Sequence, residues 1–108
     1  MVEVKNLPPP LRKEGLKEKL VKICEENDVI FLAIFGSFVR RKQKRESDID
    51  IIIEYREGSR KSLLDLVGLE EKLSLLFGRK VDLQTIGGIS PYLKDEILNS
   101  MKVIYERK

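Results

Sequence analysis

Asp48 and Asp50 stand two positions apart immediately ahead of Ile51, Ile52 and Ile53, while Gly36 and Ser37 close an earlier apolar run. In an extended segment, side chains two positions apart leave the same face, with Cα atoms roughly 6.5 Å apart. Two carboxylates then share one small space, where they repel and one becomes harder to ionise. A hard divalent cation relieves that repulsion. Magnesium suits the pair, because it takes one or two protein carboxylates and completes its shell with water and substrate phosphates. Asp82, between Val81 and Leu83, offers a third carboxylate on the polar side of another alternating segment. If a short strand brings it beside Asp48 and Asp50, three carboxylates can hold two metals, one polarising an attacked phosphorus and one neutralising a departing pyrophosphate. Gly36 and Ser37 supply the complementary half. Glycine lets a phosphate approach the backbone, and amides opening a helix favour an anion; Ser37 adds a hydroxyl donor and Arg40 a cationic one.

Composition narrows the remaining chemistry. The chain has 108 residues, 42% hydrophobic and 36% charged, enough apolar material for one core, so residues 1–108 read as a single domain. With no histidine, the commonest general base is missing, and Cys24 as the only cysteine excludes an internal disulfide and a cysteine-based zinc site. Carboxylates, hydroxyls and cations must do the work. The longest uninterrupted apolar run is Val29 to Phe35, far below a membrane-spanning length. The segment from Met1 to Pro10 has no apolar stretch of the secretory kind, so a cytoplasmic location is expected. Few Asn and Gln beside abundant Lys, Glu and Arg lean towards a thermophile. Gly36 is not followed by Gly-Lys-Ser or Gly-Lys-Thr, so it does not open a P-loop.

The elements that must position these residues follow from periodicity. Pro8, Pro9 and Pro10 block regular structure at the start, and Leu16, Leu20, Ile23 and Cys24 predict an amphipathic helix over about 11–27, with Cys24 in the core. Val29 to Phe35 reads as a strand buried on both faces. A polar, basic stretch leads as turn or short helix to Ser47, and Asp48 to Tyr55 forms a second core strand. Ser62 with Asp65 is a capping-box pattern opening a helix over about 62–77 that ends at Gly78. Arg79 to Thr85 alternates as a third, half-buried strand. Ser90 followed by Pro91 starts a short helix to about Leu98, and Lys102 to Tyr105 is a last strand. The predicted fold class is α+β: a small mixed β-sheet with flanking helices.

Arg40, Arg41, Lys42, Lys44 and Arg45 place five cations in six residues. Without them 16 basic residues face 18 acidic ones, so the whole positive excess of the chain sits in this loop. It borders the proposed phosphate site, where it can attract ATP or an acidic partner surface. Nucleic acid is a further reading, weakened by the lack of interleaved aromatics.

Gly-Ser followed by an arginine, then Ser-Asp-x-Asp and a later Val-Asp-Leu, resembles the minimal nucleotidyltransferases of the polymerase-beta superfamily. The resemblance runs from the helix before Phe31 through Asp82 to Ser90-Pro91-Tyr92. It implies the nucleotidyltransferase fold, with Gly36, Ser37, Arg40 and Ser47 on the nucleotide, Asp48, Asp50 and Asp82 as catalytic residues and ligands of one or two magnesium ions, and ATP as the substrate. It also implies an antitoxin that transfers AMP to a tyrosine of an all-helical ribonuclease toxin of the HEPN type. Arg41 departs from the family, which usually has glycine there; if that position takes a positive φ, arginine strains it by about 1 kcal/mol or more. A second class of function is therefore retained: a non-catalytic module of the same fold that captures a toxin or RNA through residues 40–45. Under either reading a domain this small is expected to rely on a second macromolecule, as acceptor or as target.

Overall fold

The computed structural model describes residues 2–7, 11–36 and 48–107. Among these, five strands and three helices follow in the order β1 (Val2–Val4), α1 (Leu16–Glu26), β2 (Val29–Phe35), β3 (Ile49–Tyr55), α2 (Leu63–Phe77), β4 (Val81–Thr85), α3 (Pro91–Ser100) and β5 (Lys102–Arg107). A short 3-10 turn, Ile86–Gly88, links β4 to α3. The strands lie side by side as β1-β5-β2-β3-β4. β2 is antiparallel to both β3 and β5, whereas β4 runs parallel to β3. The α2 crossover makes that parallel pair possible, because it returns the chain to the end from which β3 started. The sheet is mixed and carries helices, as the sequence predicts.

Side-chain alternation divides the sheet into two apolar faces of unequal size. Ile49, Ile51 and Ile53 of β3 join Leu32 and Ile34 of β2 and Val81 and Leu83 of β4 in the larger core, against Leu20 and Cys24 of α1 and Leu69, Leu73 and Phe77 of α2. Ile52 points the other way and packs with Ala33, Phe35 and Ile89, which Ile86, Ile97 and Met101 partly cover. Burying side chains of this size is worth about 1.5–3 kcal/mol each, so the larger face dominates stability. Cys24 is fully buried, and burial first, with nearby Glu25, pushes its thiol up to about 12. It is a core residue. Among the described residues no helix is long and apolar enough to cross a membrane.

The helix ends show how local chemistry sets boundaries. At α2 the capping box forms in full: Asp65 N–H donates to Ser62 Oγ at 3.2 Å, and Ser62 N–H donates to Asp65 Oδ2 at 2.8 Å. Gly78 ends the helix in the left-handed region at φ 67°. The first helix begins later than residue 11, because Gly15 takes φ 76° at its N-cap and the preceding residues form turns around buried Leu11. The third helix runs past Leu98 to Ser100, whose Oγ donates to the Glu96 carbonyl at 2.8 Å. Residues Val2–Val4, for which the sequence predicts no regular structure, form β1 because β5 extends to Arg107 and offers them an edge, pairing Val2 with Arg107 and Val4 with Tyr105. The turn or short helix expected before Ser47 lies outside the described residues.

Candidate active site

The two apolar faces dictate where the acidic residues point. Since Ile49 and Ile51 face the larger core, Asp50 between them faces the opposite side, and Asp82 does the same between Val81 and Leu83. Parallel pairing then aligns them: Ile49 is opposite Val81, and Asp50 is opposite Asp82. Neighbouring strands are about 4.8 Å apart, so the two carboxylates start from adjacent backbone positions on one face. Asp82 is exposed on the sheet's edge strand, Asp50 is partly buried one strand inward, and Asp48 is exposed just ahead of β3. On the other side of Asp50, β2 ends with Phe35 as its register partner.

Asp50 is the electrostatically strained member. Burial first, then Asp82, then Asp48 raise its carboxyl above the ordinary 3.8. All three causes oppose the charged form, and no cation among its described neighbours offsets them in that balance. Gly36 explains how this carboxylate is accommodated. It sits at φ 77°, and a Cβ there would collide with Asp50 Oδ2 and lie 3.3 Å from its Cγ. The position therefore requires glycine twice over, for its backbone conformation and for the space that Asp50 occupies. The end of β2 and the start of β3 are thus fitted around one carboxylate.

This donor set suits a hard divalent cation. The oxygens are carboxylate oxygens, two of the three belong to register partners, and the cradle around Asp50 is kept open by Gly36. Among the described residues no three acidic, histidine or cysteine side chains are already gathered around one point. An ion here would draw on a subset of the carboxylates together with water and phosphate oxygens, which is magnesium's usual habit.

Of the residues expected at the site, Gly36, Asp48, Asp50 and Asp82 converge on one end of the sheet. Ser37, Arg40 and Ser47 lie outside the described residues, as do Arg41 and the rest of the basic stretch 40–45. The sequence assigned no role to Glu70 or Ser74 of α2, yet both reach the backbone on either side of Asp82. Their only signal was the i, i+4 spacing of two polar residues within a leucine-rich helix.

With this geometry in place, similarity to known proteins becomes specific. A family model described as polymerase beta, nucleotidyltransferase, matches residues 18–108. A Methanocaldococcus jannaschii protein assigned as a protein adenylyltransferase is 48% identical over 84 residues, which make up 78% of this chain and 88% of the relative. Among solved structures, a chain of a toxin-antitoxin complex with AMP-PNP has a TM-score of 0.69 at 23% identity, covering 85% of this chain and 74% of its own. A chain from the complex of tri-AMPylated Shewanella oneidensis HEPN toxin with MNT antitoxin has a TM-score of 0.59 at 21% identity, covering 82% of this chain and 67% of its own. At those identities the solved structures establish the fold, and the sequence matches establish kinship. The acidic strand pair thus sits in a chain that belongs to the polymerase beta nucleotidyltransferase family.

Proposed function

We propose that this chain is a magnesium-dependent nucleotidyltransferase that moves AMP from ATP onto a hydroxyl of a partner protein, a tyrosine of a HEPN-type helical toxin, and so acts as an antitoxin in the cytoplasm. The observation that carries the reading is the pairing of Asp50 with Asp82 in one register row, beside a glycine that keeps room for the Asp50 carboxylate. Asp48, Asp50 and Asp82 would hold one or two magnesium ions, which when bound polarise the α-phosphorus and neutralise charge on the leaving pyrophosphate. Gly36 admits the triphosphate close to the backbone, with Ser37, Arg40 and Ser47 as its further contacts. With no histidine in the chain, Asp82 accepts the proton of the attacking hydroxyl from its exposed edge position. The acceptor oxygen forms its bond to the α-phosphorus as the bond from that phosphorus to the β-bridging oxygen breaks. Pyrophosphate carries away the electron pair.

Three likenesses support this reading. The M. jannaschii relative is named for protein adenylylation. One structural neighbour belongs to a complex holding AMP-PNP, and another to a complex whose HEPN toxin carries AMP. The chain's own surface adds a fourth support. Leu63, Leu64 and Leu75 of α2 are at least 75% exposed, an apolar surface of the kind that partner proteins cover.

Titration calorimetry with ATP, with and without magnesium, tests the nucleotide site. Binding is expected only with the metal and is lost in Asp50→Asn. Equal binding by wild type and variant, or binding indifferent to metal, would remove the basis for the assignment.

A further inference from the structure

Among the described residues β4 is an edge strand, and one side of its backbone faces no neighbouring strand there. The two amides on either side of Asp82 are nevertheless satisfied. Val81 N–H donates to Ser74 Oγ at 3.0 Å, and Leu83 N–H donates to Glu70 Oε2 at 3.0 Å. Ser74 Oγ in turn donates to the Glu70 carbonyl at 2.8 Å, which fixes the serine rotamer that receives Val81. Both acceptors come from one turn of α2. The spacing fits: four residues of helix advance about 6 Å, and two residues of strand advance about 6.6 Å. Glu70 and Ser74, four apart on the helix, therefore reach Leu83 and Val81, two apart on the oppositely running strand, without stretching either.

We infer that Glu70, seconded by Ser74, is a positioning residue for Asp82: Glu70 holds the backbone on the Leu83 side of that carboxylate, Ser74 holds it on the Val81 side, and together they keep Asp82 in register with Asp50. Helix α2 is in turn packed through Leu69, Leu73 and Phe77 into the larger core, so the clamp ties the exposed edge of the acidic site to that core. Glu70 is partly buried and its carboxylate is bonded to backbone, so its work is geometric. The inference rests on the transferase reading for its functional consequence, while the clamp itself is testable without activity.

The test compares Glu70→Gln and Glu70→Leu in the full chain. Glutamine keeps an oxygen acceptor for the Leu83 amide, and leucine removes it. Hydrogen exchange at the Leu83 amide should remain slow in Glu70→Gln and accelerate in Glu70→Leu. In AMP transfer, Glu70→Leu should lose on the order of tenfold or more in kcat and require more magnesium for half-maximal rate, with KM for ATP little changed, since small displacements of a reacting constellation are costly. Glu70→Gln should recover most of both. A Glu70→Leu chain that keeps wild-type amide protection, or that keeps kcat and magnesium requirement at a temperature where it is fully folded, overturns the inference. Failure of glutamine to rescue overturns it as well, because charge and not geometry would then be the cause. An Asp50→Asn control separates the two claims: transfer surviving in that variant sinks the transferase reading, whereas a dead Asp50→Asn beside an unaffected Glu70→Leu sinks only the role of Glu70.

Discussion

Asp50 and Asp82 occupy the same register position on adjacent parallel strands, although they stand 32 positions apart in the chain with the whole of α2 between them. Two carboxylates placed side by side on a sheet face, one partly buried, cost stability unless a cation joins them. If they share the reaction's metals, neither can be spared. Asp50→Asn and Asp82→Asn should each lower AMP transfer on the order of a hundredfold or more, with circular dichroism unchanged, as measured by label incorporation under saturating ATP.

The strained carboxyl of Asp50 also predicts an unusual stability profile. Its folded-state pKa is raised above 3.8, first by burial and then by Asp82 and Asp48, so the folded chain holds that proton more tightly than the unfolded chain. Stability from this group is therefore present at low pH and is lost as pH rises through the folded value. Metal-free Asp50→Asn should melt at or above wild type at neutral pH, with the difference closing under acid conditions. Adding magnesium with ATP should raise the melting temperature of wild type and leave Asp50→Asn unmoved.

Gly36→Ala introduces a Cβ where Asp50 Oδ2 lies, at a backbone φ of 77°. The left-handed conformation alone costs about 1–2 kcal/mol. The collision must then be relieved by moving the carboxylate. Denaturant melts should show that loss, and ATP binding in the presence of magnesium should weaken with it.

The two sides of α2 should respond very differently to truncation. Leu73 is fully buried against the sheet, and Leu73→Ala should cost about 2–5 kcal/mol. Leu75 is 85% exposed, and Leu75→Ala should change stability by no more than about 0.5 kcal/mol. If this exposed face receives a partner, complex formation measured by titration should weaken in Leu75→Ala while the melting curve stays in place.

Much of this arrangement is legible in the sequence. The isoleucine run after Asp50 and the alternation around Asp82 fixed which side chains face away from the core, because strand periodicity is strict. Ser62 with Asp65, and Gly78, announced both ends of α2 through side-chain and backbone chemistry that acts locally. What escaped depended on distant residues. β1 exists because Glu106 and Arg107 extend β5 and offer Val2 and Glu3 an edge, information that the segment itself does not contain. α1 starts later than the end of the proline run suggests, because Gly15 caps it in the left-handed region and Leu11 is buried outside it. The contacts of Glu70 and Ser74 with β4 needed the crossover geometry, since the partners lie 13 and 7 residues away in the chain.

Everything proposed for this chain turns on whether the Asp50 and Asp82 pair carries transfer of AMP to a partner protein. The most direct test is intact-mass measurement of a HEPN-type partner after incubation with this chain, magnesium and ATP, with the Asp50→Asn chain in parallel. Wild type should add the mass of AMP to a partner tyrosine, and the variant should add none. The same addition with both chains, or a stable complex with wild type that never acquires AMP, would contradict it.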